Sequence, residues 1–280
     1  MIRRFILVFA VLISHLATAS GAHAQVGVDD SDLGESIYLL KNLLKDLRRE
    51  SDVEEQFRMY LRAQSVMRDV EANMEHGERT EWQRRLDNAF MQLQEPEQVE
   101  SAEGVTFTVT GTKGRAFYWS EPVSITSFLA FLNDVGAPLS KVSMWVDTDA
   151  NQITYDTGTS QYQSRRGARP VQAASYSGAA RFADWLSHQQ RQRCTLPTVG
   201  FAMQVGGDNI SCWTSSAWKV KDPVRDENMR IYGVKLRTMV YHGEAVGELP
   251  EALYPDTCIR VRTSTKAGKE FFLSSLQVSQ

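Results

Sequence analysis

Thiols are the most reactive groups in this chain. It has three, Cys194, Cys212 and Cys258, all in the C-terminal half. In an oxidising compartment three cysteines allow one disulfide and one leftover thiol, and their count alone leaves the pair open. Cys194 precedes a Leu196-Pro197-Thr198 turn and Cys212 follows Gly206-Gly207, so the chain between them can double back. Cys194–Cys212 is therefore the expected disulfide, and a loop of that size contributes roughly 3 kcal/mol if unstrained. There is no CxxC, HExxH or Cys/His cluster, so a structural zinc site is not expected.

Acid–base chemistry has little to draw on. Beyond the first 24 residues the histidines are His76, His188 and His242. His188 falls at a helix end. His242 and Glu244 flank Gly243 and form a candidate binding pair, with a solvated turn as the plain alternative. No nucleophile elbow marks a serine, and no glycine-rich phosphate loop follows a strand.

The N-terminus has a secretory form. Arg3-Arg4 precede an apolar run over residues 5–17, and Ala22-His23-Ala24 reads as a cleavage site. The run is too short to span a bilayer, which takes about 20 residues. The expected domains are a signal peptide over 1–24, a helical region over 25–97 and a mixed domain over 104–280. The expected location is periplasmic or secreted. Removing two arginines and no acid takes the formal net charge from −3 to −5. Residues 29–100 carry 18 acids and 10 bases, and residues 101–280 carry 16 and 19. That balance gives no nucleic-acid footprint.

These groups must be positioned by the elements around them. Ile37, Leu40, Leu44 and Leu47 recur at helical spacing, as do Val53, Phe57, Tyr60, Leu61 and Met67. Gly77 is expected to end that second helix. A third, capped at Thr80, carries Trp82, Leu86, Phe90 and Leu93 and stops before Pro96. Narrow apolar stripes with charged flanks must be buried on the following domain, on a second copy, or on another protein. The helical region is accordingly expected to be a helical bundle packed on the following domain, a partner-docking arm or a self-association element.

From Gly104 the period changes. Val105, Phe107 and Val109 alternate with threonines as in a strand, and residues 116–119 resume extended structure. Ser124 is placed to cap a helix bearing Ile125, Phe128, Phe131 and Leu132. Residues 144–162 read as strand, turn, strand. Ser175 is placed to cap a helix with Ala179, Phe182, Ala183 and Leu186 on one stripe and Trp185 beside it. Residues 232–241 and 259–262 read as strands, and Phe271-Phe272-Leu273 as an edge strand.

Several of these segments, in order, resemble the sulfatase-modifying-factor domain of formylglycine-generating enzymes. Pro170-Val171, Ser175-Tyr176, Ala179, Phe182 and Trp185-Leu186 match the family's P-V-x-x-V-S-W…W-L segment. Leu196-Pro197-Thr198 matches L-P-T-E. Asn209-Ile210 and Trp213-Thr214-Ser215 match G-N-V-W-E-W-T-S. The resemblance covers residues 104–263 and implies an α+β, C-type-lectin-like fold preceded by the N-terminal helical region. It also implies copper(I) chemistry on a cysteine pair near the C-terminal end, where soft thiolates suit the metal. That pair is missing, because no cysteine lies between residues 219 and 257. Cys212 stands where the family has a calcium-ligating glutamate, although Asn209 is retained. No cofactor is expected, calcium being the one cation the resemblance leaves in view.

The resemblance therefore implies a non-catalytic exported binding or accessory protein acting on another exported or membrane protein. One such protein is the periplasmic partner in the type VI secretion threonine-phosphorylation pathway, upstream of a membrane kinase. Asn209, Trp213, His242 and Glu244 are the candidate binding residues. The alternatives are a formylglycine-generating oxidase and a lectin-like small-ligand binder using the loop-rich residues 151–169.

Overall fold

The computed structural model describes residues 30–111, 116–206, 210–217 and 236–278. The signal-like segment lies outside them. The helical stripes form α1 (Asp30–Leu47), α2 (Val53–Val70) and α3 (His76–Gln92). Asp52 caps α2, its side chain accepting from the Glu55 amide at 2.8 Å. Two expected signals fall elsewhere. Glu75 takes the extended N-cap position of α3, which puts Gly77 inside the first turn rather than at a helix end. Thr80 is likewise internal, and its hydroxyl donates to the His76 carbonyl at 2.9 Å.

The second region is mixed α and β, with small antiparallel sheets. Strands β1 (Gln98–Glu100), β2 (Thr106–Thr110), β3 (Phe117–Ser120) and β9 (Arg262–Ser264) form one sheet in the order β1-β2-β3-β9. Helix α4 (Ile125–Asp134) is capped by Ser124, which accepts from the Ser127 amide at 3.1 Å. Where a strand was expected at Met144, the chain makes α5 (Leu139–Trp145), which buries Val142 and Trp145 one turn apart. The hairpin β4 (Ile153–Asp156) and β5 (Gln161–Ser164) follows. Helix α6 (Tyr176–Gln190) starts at Ser175, whose hydroxyl accepts from the Gly178 amide at 3.1 Å. After α7 (Val199–Gly206), strands β6 (Cys212–Ala217), β7 (Arg237–Tyr241) and β8 (Glu244–Glu248) pair in that order.

The expected edge strand at Phe271 is instead α8 (Thr265–Val278). The Ser264 side chain accepts from the Ala267 amide at 3.2 Å, a local start signal. Ala267 and Phe271, four residues apart, face the large core around Phe107, Tyr118 and Phe128. Phe272, Leu273 and Leu276 face the helical cluster of Leu40, Phe57 and Trp82. Phe272 meets Phe57 edge-on at 4.9 Å, and Phe271 lies 5.7 Å from Phe107. Lys269, almost fully buried between them, reaches the Met91 carbonyl at 3.1 Å and the Glu95 carboxylate at 3.4 Å. Burial pushes its pKa down, and Glu95 partly restores it. The stripes of α1–α3 are thus buried on one another and on α8, so the docking they require is met within the chain.

In the large core, Phe182 of α6 lies 6.0 Å edge-to-face from Phe131 and 5.5 Å from Trp185. The Trp185 indole N–H donates to the Asp134 carboxylate at 2.8 Å. Phe182→Ala is expected to lower stability by about 3–5 kcal/mol through cavity formation. Arg181→Ala removes only an exposed cation–π contact with Trp145 and should cost less than about 1 kcal/mol. Urea denaturation of the two variants checks the difference. Deleting residues 30–96 strips the cover from Phe272, Leu273 and Leu276, and should lower the melting temperature and promote aggregation, as scanning calorimetry and light scattering would show.

Candidate functional site

The sheet β6-β7-β8 is covered on both faces. On one face Trp213 of β6 stands opposite Met239 of β7, and both are buried against α6. On the other, Cys212 stands opposite Val240 and packs with Trp119, Ala202 and Ile210 under α7. The cover over the first face is incomplete toward the β7–β8 edge. There Tyr176, Arg237, Tyr241 and Tyr254 are half-buried.

These side chains form a continuous rim. Tyr176 meets Trp213 edge-on at 5.9 Å, and the Arg237 guanidinium lies 4.6 Å above the Tyr176 ring. Tyr241 packs on Tyr254 at 5.4 Å and on His242 at 4.3 Å. Glu248 stands opposite Arg237 across the β7–β8 ladder. A hydrogen bond to the Glu248 carboxylate, with burial, pushes the Tyr254 hydroxyl up to about 12. Three phenol rings, a guanidinium and an imidazole beside carboxylates can stack on and hydrogen-bond a partner, and tyrosine and arginine are enriched at protein interfaces.

The sequence-derived candidates separate in the structure. Trp213 is 1% exposed, and its indole N–H donates to the Ala174 carbonyl at 2.7 Å. It packs the floor of the rim and presents no contact surface. His242 and Glu244 sit at the β7–β8 turn, with His242 in left-handed backbone at φ 47°. The His242 ring nitrogen Nε2 lies 3.7 Å from the Asp256 carboxylate, both side chains being exposed. Asn209 lies outside the described residues.

The loop-rich stretch uses its polar groups internally. Buried Asn151 donates to the carbonyls of Asp147 and Gln172, both at 2.7 Å, and accepts from the Gln172 amide. Hydrogen bonds from the Gly158 amide and Thr159 hydroxyl hold the Asp156 carboxyl below its usual range.

The cysteines also depart from expectation. All three are free thiols. Cys194 belongs to the large core and Cys212 to the small cluster under α7, so the expected Cys194–Cys212 bridge is not made. Cys212 instead lies beside Cys258, paired across a parallel β-bridge. Burial pushes all three thiols up, that of Cys194 to about 12. The pair does not fit the implied copper centre, which needs ionised thiolates that a substrate cysteine can reach, because Cys212 has no exposed surface. The Cys212 thiol, packed in an apolar cluster, supplies no oxygen where the family has a calcium-ligating glutamate, and Asn209 lies outside the described residues. Among the described residues no group of three His, Cys, Asp or Glu could hold a metal ion, and no helix is long and apolar enough to cross a membrane.

No family model matches the chain, and no curated protein matches it. One solved structure similar to it is titled "Crystal Structure of CarF", at 14% identity and a TM-score of 0.34. The match covers 60% of this chain and 97% of that one. A likeness of that size carries no inference about function.

Sequence reasoning missed Tyr176 and Tyr254 as rim residues because they come from α6 and from a loop after β8. The one local signal was the alternation that puts Arg237 and Tyr241 on the same face of β7. Trp213→Phe leaves the Ala174 carbonyl without its donor and should cost about 1–3 kcal/mol. Chemical denaturation measures this directly, and the loss should be the same whether or not a partner is present.

Proposed function

We propose that the chain is an exported, non-catalytic accessory protein that binds another exported or membrane protein through the tyrosine rim of the β6-β7-β8 sheet. The half-buried constellation of Tyr176, Arg237, Tyr241 and Tyr254 carries this reading. It offers large rigid contact groups around a packed floor, the arrangement from which interface hot spots are made. The scaffold is read as a degenerate sulfatase-modifying-factor domain with a C-type-lectin-like plan. Two features support that reading: the ordered motif residues from Pro170 to Ser215, and the entry strands β2 and β3 sharing a sheet with the closing strand β9. The complete burial of Cys212, which no substrate cysteine can reach, favours a binding role over cysteine oxidation. The internal use of Asn151 and Asp156 weighs against a small-ligand site in that loop. A periplasmic regulator of a membrane complex fits this reading, and the secretory form of the N-terminus supports export.

The test uses the chain without residues 1–24, immobilised and exposed to exported and membrane-protein fractions. The wild type should capture a specific protein, and the double variant Arg237→Ala, Tyr254→Ala should lose at least tenfold of that capture at an unchanged melting temperature. A parallel incubation with copper(I) and a sulfatase-type cysteine peptide should give no formylglycine by mass spectrometry. Turnover of the peptide, or capture indifferent to the rim, would overturn the reading.

A further inference from the structure

We infer that Cys212 and Cys258 are a disulfide-forming pair that locks the β6-β7-β8 sheet to the segment entering β9. This rests on the placement of the two cysteines alone and stands whether or not the binding role does.

Cys212 opens β6, and Cys258 lies four residues before β9. The two are direct partners in a parallel bridge. The Cys258 amide donates to the Ser211 carbonyl at 3.0 Å, fixing this register. Bridged neighbours on adjacent strands are spaced about 4.8 Å apart and project their side chains to the same face. That spacing falls inside the Cα separation a disulfide accepts, about 4.4–6.8 Å. Both side chains enter the small cluster with Trp119, Ala202, Ile210 and Val240. The Cys258 thiol donates to the Ser211 carbonyl at 3.3 Å.

The two thiols are not equivalent. Cys258 is partly exposed and Cys212 fully buried. Burial pushes both thiols up and the Arg260 guanidinium partly offsets this at each, so access is what separates them. Cys258, the more accessible of the two, is therefore the attacking sulfur. Its thiolate displaces one thiolate from a small disulfide such as oxidised glutathione, giving a mixed disulfide. The Cys212 thiol then gives up its proton and displaces the second thiolate. The two cysteines lose two electrons and two protons, and one disulfide is reduced to two thiols. Because the folded structure encloses Cys212, the reaction belongs to folding or to an opening of α7. Cys194, in the large core with its carbonyl and amide both bonded to the Ser187 hydroxyl, is left as the single thiol.

The test refolds the reduced full chain in buffers of stepped ratios of reduced to oxidised glutathione, then alkylates free thiols. Cleavage with trypsin and chymotrypsin separates Cys194 from Cys212 at Phe201. The expected product is a 212–258 cross-linked peptide with Cys194 alkylated. The melting temperature should rise in step with the cross-link, and Cys258→Ser should abolish both responses. Should that variant fold poorly, Cys194→Ala must still form the cross-link. A 194–212 cross-link, or three alkylated cysteines in natively folded protein at every ratio, would overturn the inference.

Discussion

The contact on which the rest of this structure depends is the seat of α8 between two cores. A Cβ on Gly268 would stand 2.1 Å from the Tyr118 ring, so only glycine lets the helix lie this close to β3. From that seat Phe271 enters one core and Phe272 the other. The Tyr118 hydroxyl donates to the Pro96 carbonyl at 2.6 Å, fastening the link between α3 and β1 to the same ring. Lys269, almost fully buried in this junction, is held by the Glu95 carboxylate and by the Met91 carbonyl. A buried charge that loses its partners costs several kcal/mol, so the pair specifies this arrangement more than it adds to its stability.

This seat bears on function through what it leaves free. The helical region satisfies its apolar stripes within the chain. The half-buried rim of Tyr176, Arg237, Tyr241 and Tyr254 is then the contact surface proposed for a partner. The rim inherits its rigidity from Trp213, which is anchored to the Ala174 carbonyl and packed on Met239. Cys212, beneath the other face of the same sheet, is fully buried and closed to a substrate.

How much of this was legible in the sequence follows the range of each interaction. The starts of α4 and α6 were readable because Ser124 and Ser175 cap them locally and the apolar stripes follow at once. The β2 alternation was equally local. Phe271-Phe272-Leu273 read as a strand because three adjacent apolar residues carry no period. They are helical because two cores on opposite sides each take one phenylalanine. The Cys212–Cys258 proximity joins residues from β6 and from the run into β9, and no spacing rule announces it. The turns between Cys194 and Cys212 were a true signal for a reversal of the chain, but α7 fills that reversal and sends the two thiols into different clusters. The rim is assembled from α6, β7 and a late loop, so it exists only in the folded chain.

Helix α8 thereby joins the helical region and the sheet region into one cooperative unit. Native-state hydrogen exchange of Gly268→Ala against the wild type tests it most directly. In the wild type, the slowest amides of α2 and of β3 should exchange with the same opening free energy, through global unfolding. In the variant both should fall together, because the added methyl unseats α8 from Tyr118 and releases Phe272 from Phe57. If the amides of α2 kept their wild-type protection while those of β3 lost theirs, the two regions would be independent and the claim would fail.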